Sequence, residues 1–426
     1  MDAALGSLAV ATFWVALAVV SLARFDRWER PWLAAALAAH LAAAPTMVWL
    51  HGNIFAGGDM SGYFGVGRLL SDAMRSDFAR HGPEVFKLLL QMDAEVPWYV
   101  RSPGSSTATM QALSAWIQYV FGNSMLTLAL VIAGAAFYGK LLIYRSLRTA
   151  LPAASRQIVL IGVCLLPSAV LWSSGFLKEA VAMPGLGLMV FGTHRLAARQ
   201  GRLFDVLLIL LGAWIVLLVK AYLVLAFAVA GGTWLATGRS RTRGRIRLRP
   251  GYIALGAAVA IGAIVGVGSL DERFAFENLD DEAARLQSLG VQAGGGSTYQ
   301  LGTTGEVGLL AQVMTAPLAL FAALFRPLII EPGSAAQLVN AIEMSAVLLL
   351  FVAAAARQRL GVFRMLSVSP TYVFCVVFVL TAGLGIGLAT TNLGTLSRYR
   401  MPMMPFYIAV LATWYRGPIL RPGATS

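Results

Sequence analysis

Charge is scarce in this 426-residue chain: Asp, Glu, Lys and Arg make up 12% of it, against 58% hydrophobic residues. A water-soluble domain is about a quarter charged and no more than about half apolar, so a soluble enzyme is excluded. Cysteine is scarcer still. Cys164 and Cys375 are the only two and both fall inside apolar runs, which leaves neither a disulfide framework nor a metal-type cysteine spacing. His40, His51, His81 and His194 show no metal spacing either, and no role is read from them. Acidic residues are outnumbered, 20 Asp and Glu against 33 Lys and Arg, for a net charge of +13. In a membrane protein such an excess collects in cytoplasmic loops, so no nucleic-acid partner is expected.

What the chain does have is long apolar runs. They predict an all-α, polytopic transmembrane protein, 1–426 forming a single integral membrane domain. About eleven crossings are expected at roughly 5–23, 31–50, 124–144, 156–173, 179–196, 203–219, 221–237, 251–269, 337–356, 369–389 and 401–416. The first run, Leu5 to Leu22, lacks a basic leader and is followed by Arg24, Arg27 and Arg30, which reads as a retained anchor with the N-terminus outside. The inner segments then collect Lys140, Arg145, Arg148 and Arg156, then Arg195, Arg199 and Arg202, then the alternating arginines from Arg239 to Arg249. Arg357, Arg359 and Arg364 follow, and Arg416 and Arg421 place the C-terminus in the cytoplasm.

Two longer segments fall outside, 51–123 and 270–336, with balanced or acidic charge; the second carries Asp271, Glu272, Glu277, Asp280, Asp281, Glu282 and Glu306. Their apolar stretches, Ser105–Phe121 and Gly308–Phe325, read as interfacial or re-entrant helices. Gly294–Ser297 marks a flexible stretch, and no internal repeat is evident.

With the basic loops set aside, Lys178, Lys220, Arg326, Arg398 and Arg400 remain. On this topology four lie at the outer ends of crossings and Arg326 ends the second outer helix, against the positive-inside trend. Ionisable groups at membrane depth default to functional roles, and cations gathered on one face suit a phosphate or pyrophosphate headgroup. The alternative is snorkelling to lipid headgroups. Asp59 stands directly after the second crossing, in Gly57-Gly58-Asp59-Met60-Ser61-Gly62-Tyr63. A carboxylate there can take a proton from an acceptor hydroxyl; equally, it suits the N-cap of an amphipathic helix over Met60–Arg75.

Lys178 and Glu179 end the phrase that begins Pro167-Ser168 and runs through Trp172-Ser173-Ser174-Gly175. A tight outer turn brings both to the surface of Asp59, as functional groups or as a structural ion pair or cap. Ser397-Arg398-Tyr399-Arg400-Met401-Pro402-Met403-Met404-Pro405 opens the last crossing, with Pro402 early in its helix. No second carboxylate follows Asp59 two positions on, so nothing calls for a metal.

An acidic residue in Gly-Asp-x-x-x-Tyr after an early crossing, followed by interfacial helices and Val120-Phe121-Gly122-Asn123-Ser124, resembles the first outer loop of the GT-C membrane glycosyltransferases. Arg398-Tyr399-Arg400-Met401-Pro402 is similar to their Arg-Tyr-x-x-Pro, and the Pro-Ser-x-x-x-Trp-Ser-Ser-Gly-x-x-Lys-Glu stretch resembles a bacterial family of polysaccharide-associated membrane proteins. The resemblance implies a GT-C-like fold in the bacterial cytoplasmic membrane and transfer of a sugar from a polyprenyl-phosphate carrier to a glycan, lipid or protein acceptor at the outer face, with no cofactor. It implies Asp59 as base and Lys178, Arg398 and Arg400 on the lipid phosphate; from the residues themselves Glu179, Lys220, Arg326 and Tyr399 are read as joining them, and Tyr63 as part of the acceptor site. Two other readings stay open: a polysaccharide polymerase or ligase using a lipid-pyrophosphate-linked glycan, and a lipid-linked sugar flippase or transporter.

Overall fold

The computed structural model describes residues 3–55, 58–97, 99–100, 103–151, 155–198, 201–239, 241–242, 245–246, 254, 258, 262, 309–331, 335–367, 369–390 and 392–416. The acidic residues from Asp271 to Glu306, the Gly294–Ser297 stretch and, but for three residues, the crossing expected at 251–269 lie outside them. The described residues are helical throughout, apart from turns, connectors and a two-residue antiparallel ladder of Arg241–Thr242 with Arg245–Ile246.

Among the described residues seven helical spans are long and apolar enough to cross a membrane: Ala4–Leu22, Glu29–Asn53, Met125–Ala150, Arg156–Ser173, Leu203–Thr237, Gln337–Gln358 and Pro370–Ala389. Twenty helical residues reach about 30 Å, the thickness of a bilayer's hydrocarbon core. Leu5, Leu8, Phe13, Val19 and Val20 of the first span face outward, an apolar exterior that suits contact with lipid. The chain is a multi-pass helical membrane protein.

The described chain divides into two compact units, Met1–Leu141 with Cys164–Leu188 and Leu211–Lys220, and Leu142–Val163 with Met189–Leu210 and Ala221–Ser426. The first begins with α1 (Ala3–Leu22) and α2 (Glu29–Asn53), and the segment 51–123 then forms α3 (Gly58–Ser76), α4 (Phe78–Leu89) and α5 (Ser106–Phe121). In α3 the buried residues Met60, Tyr63, Gly67, Leu70, Ser71 and Met74 recur at three- and four-residue spacing, which makes one face. That face meets α5, whose Gln118 donates to the Phe64 carbonyl at 3.1 Å. Caps set the boundaries: Asp77 accepts from Arg80 N–H at 3.1 Å and Ser105 from Ala108 N–H at 3.4 Å.

Next come α6 (Met125–Ala150), α7 (Arg156–Cys164), α8 (Pro167–Ser173) and α9 (Lys178–Ala197). Sequence expects one helix over 156–173; Pro167, at the first position of α8, ends the run before it because proline lacks the N–H an interior position needs. Gly139 of α6 and Gly187 of α9 let two backbones touch: a Cβ on either would collide with main chain of the other helix.

Helix α10 (Leu203–Arg239) is interrupted at Lys220, which leaves helical geometry at φ −152°, ψ 69°. Its two ends meet neighbouring residues of α9: Asp205 accepts from Arg195 Nε at 2.7 Å, and the Trp234 ring lies 5.8 Å from that of His194. A straight helix would hold Asp205 and Trp234 about 43 Å apart. The chain therefore folds back at Lys220, and the separate runs expected at 203–219 and 221–237 correspond to the two limbs.

In the second unit α11 (Leu309–Phe325), α12 (Ala335–Gln358), α13 (Gly361–Leu366), α14 (Pro370–Ala389), α15 (Leu393–Arg400) and α16 (Met404–Arg416) follow. Trp234, Phe374, Phe378 and Phe406 form one continuous aromatic cluster. The last crossing differs from expectation: α16 has 13 residues, short of the about 20 that span a bilayer. Pro402 stands in the turn between α15 and α16 instead of early in a helix, since α15 already occupies the chain to Arg400.

Candidate functional site

In the first unit the candidate residues stand in the first turns of α3 and α9 and at the break in α10. Gly58 opens α3 at φ +45°, a left-handed conformation that glycine adopts without a Cβ clash. Asp59 is thus already in the first turn of the helix and exposed. The N-cap expected of it is displaced, because the helix starts one residue earlier; a carboxylate in a first turn still meets the positive end of the helix dipole. One turn further on, Tyr63 is buried, its ring 6.3 Å from that of Phe176 in the connector between α8 and α9.

Lys178, at the start of α9, donates to Ser106 Oγ at 2.9 Å and Thr107 Oγ1 at 3.0 Å, and its Nζ lies 6.0 Å from the Tyr63 ring centre. Both hydroxyls belong to the first turn of α5. Glu179 is fully buried and pairs with Lys220 at 2.8 Å. Beside the break at Lys220, Gln91 Nε2 donates to Leu218 O at 2.7 Å and to Thr109 Oγ1 at 2.9 Å. Gln91 holds φ +59° to do so, a conformation costly for a residue with a Cβ. The segment 51–123 therefore binds both the start of α9 and the chain just before the break in α10.

In the second unit Arg326, Arg398, Tyr399 and Arg400 are placed otherwise. Arg400 is 1% exposed; its Nη1 donates to the carbonyls of Ala323 and Arg326 at 3.2 and 2.6 Å, and its Nη2 to Asn340 Oδ1 at 3.5 Å. A guanidinium there satisfies the last carbonyls of α11, which have no helical partner. Arg398, two residues earlier on the same helix, points away from Arg400, since successive i, i+2 positions lie on different faces. Its guanidinium lies 5.3 Å from the Tyr399 ring centre. Arg326 pairs with Glu331, its Nε donating at 2.7 Å.

Sequence reading missed one charged centre altogether. Lys140, expected at an inner helix end, is in the interior of α6 and 0% exposed. Its Nζ lies 3.0 Å from His40 Nε2 and donates to Ala169 O at 2.7 Å and Ser173 Oγ at 2.8 Å. The signal was present: His40 and Lys140 both fall inside runs expected to cross, where an ionisable group marks a site. Among the described residues no three His, Cys, Asp or Glu side chains gather as a metal site. Compared with known protein families, with characterised proteins and with solved structures, the chain matches none.

Proposed function

We propose that this protein is a GT-C-like glycosyltransferase of the bacterial cytoplasmic membrane, with about eleven crossings, an outer N-terminus and a cytoplasmic C-terminus. It transfers a sugar from a polyprenyl-phosphate carrier to a glycan, lipid or protein acceptor at the outer face. The observation that carries this reading is the arrangement around Tyr63: Asp59 precedes it by one turn of α3, and the Lys178 ammonium lies 6.0 Å from its ring. An exposed carboxylate and a hydroxyl-bound ammonium beside one aromatic ring are what a displacement at an anomeric carbon needs.

In that reaction Asp59 takes the proton of the acceptor hydroxyl, the acceptor oxygen bonds to the anomeric carbon, and the carbon–oxygen bond to the phosphate breaks with its electron pair going to the phosphate. Lys178 neutralises the charge that develops there. Lysine suits this task as a compact point charge on a flexible stem. In the second unit the Arg400 guanidinium is engaged by main-chain carbonyls.

The test is transfer from a panel of synthetic polyprenyl-phosphate hexoses in proteoliposomes. Asp59→Asn keeps the shape and helix-start preference of aspartate but cannot take a proton, and is expected to lower turnover about 10²- to 10⁴-fold. Normal transfer by a folded Asp59→Asn protein overturns the mechanism. One observation favours a different reading, a lipid-linked sugar flippase or transporter: such a protein needs polar groups at mid-crossing depth, and Lys140 with His40 is such a pair. Movement of a fluorescent lipid-linked sugar across proteoliposomes without any transfer product would establish that reading instead.

A further inference from the structure

We propose that Lys140 is a positioning residue, a buried cationic pin that ties α2 to α8 and so sets where the Asp59 and Lys178 connectors meet. The inference rests on the reading of those two residues given above, and it concerns a centre that this reading does not use. An ammonium has three N–H donors, and three buried acceptors surround this one. They are His40 Nε2 on α2 and Ala169 O and Ser173 Oγ on α8. His40 is oriented for the role: its Nδ1 is 2.7 Å from the Ala36 carbonyl, which can only accept, so Nδ1 carries the proton and Nε2 presents its lone pair to Lys140. Ser173 Oγ in turn reaches back to Ala169 O at 2.5 Å, so its lone pair faces the ammonium. Each donor is matched, and the site is closed to solvent.

The two helices so tied have the same sequel. α2 ends at Asn53, and a short connector leads to Gly58 and Asp59; α8 ends at Ser173, and a short connector leads to Lys178 and Glu179. The connectors and helix ends also lock onto each other. Phe55 stacks on Trp172 with ring centres 6.0 Å apart and planes 18° apart, Tyr63 meets Phe176, and a Cβ on Gly175 would lie 2.9 Å from Met47 Cε. Apolar and aromatic contacts of this kind hold two helices together but allow them to slide by a fraction of a turn. A charge held by three directional bonds does not slide, because any shift leaves a buried ammonium with an unmatched N–H.

The experiment measures register, not activity. In a Cys164→Ala, Cys375→Ala protein carrying Phe55→Cys and Trp172→Cys, a short methanethiosulfonate cross-linker reports how the end of α2 sits against α8. Only monodisperse, thermally folded protein is compared. Lys140→Met, which fills the same space without charge, is expected to slow cross-linking by about fivefold or more, and Ser173→Ala, which removes one acceptor, by a smaller factor in the same direction. A purely stabilising lysine would lower the melting temperature and leave the cross-linking rate of the folded protein unchanged. Rates within about twofold of the parent for both variants overturn the proposal. Because no sugar donor is involved, failure of the parent protein to transfer sugar would remove the glycosyltransferase reading and leave the pin standing.

Discussion

In the first unit Lys178 is held by two hydroxyls and the face of a ring, whereas in the second unit Arg400 is held by two main-chain carbonyls and an amide oxygen. Both residues look alike in the sequence, as cations on the side of the membrane where the positive-inside bias gives no reason for them. Their partners separate them. Hydroxyls can turn and donate to an incoming anion, so they can join a lysine in binding one. Carbonyls at a helix end can only accept, so the arginine that fills them is part of the helix boundary. Within the first unit the buried pair of Glu179 with Lys220 is the counterpart of Arg400, a charge used to fix a chain reversal.

The largest effect is expected where a buried charge loses its partner. Lys220→Met leaves the Glu179 carboxylate, 0% exposed, without the ammonium 2.8 Å away, and should cost about 3–5 kcal/mol of stability against SDS unfolding in mixed micelles. Lys220→Met with Glu179→Leu should recover most of it, because an apolar pair of similar volume replaces a buried ion pair at little cost. If the double variant is as unstable as the single one, the pair holds the reversal by more than its charge.

A sharper form of the comparison pairs Arg400→Met with Lys178→Met. The first removes donors from two helix-end carbonyls inside the second unit and is expected to cost roughly 2–3 kcal/mol. The second leaves two hydroxyls that can find other partners and should cost under about 1 kcal/mol, while abolishing transfer from polyprenyl-phosphate hexoses. Equal stability losses in the same unfolding assay would mean that Lys178 is as structural as Arg400.

How far the sequence could be read follows the same division. The helices over 179–196 and Ser105–Phe121 and the separation of two runs beside Lys220 were legible because apolar periodicity is local. Lys140 was misplaced because its partners are distant in sequence. His40 is 100 residues away and Ala169 and Ser173 are 29 and 33 away. Counting charges near helix ends assigns such a lysine to a loop. Arg400 was read beside Arg398 because adjacency in a motif suggests a shared ligand, whereas a helix turns residues two apart to different faces. Gln91 carries no signal at all; only the broken helix at Lys220, met in three dimensions, shows what its amide is for.

The smallest effect tests whether the segment 51–123 needs its exposed charges. On α4, Glu84 Oε1 accepts from Lys87 at 2.7 Å and Oε2 accepts from the Glu95 N–H at 2.7 Å, which ties α4 to the chain just beyond Gln91. The hydrogen bond from Lys87, followed by that from Glu95 N–H, lowers the Glu84 pKa below the usual carboxylate range, and the bond to Glu84 raises that of Lys87. The signs are opposite at the two ends of the pH scale. A lowered carboxylate contributes stability that is complete above its unfolded pKa and is lost as pH falls through its folded value. A raised lysine contributes stability that is complete below its unfolded pKa and is lost as pH rises through its folded value. Protection of the Glu95 amide in hydrogen exchange should therefore be flat near neutrality and fall in acid, after correction for the intrinsic exchange rate. Glu84→Gln should remove that acid dependence. Because the pair is solvent-facing, salt should weaken it, while leaving the Glu179–Lys220 pair nearly untouched. Acid loss of protection that persists in Glu84→Gln would assign the tie to another group.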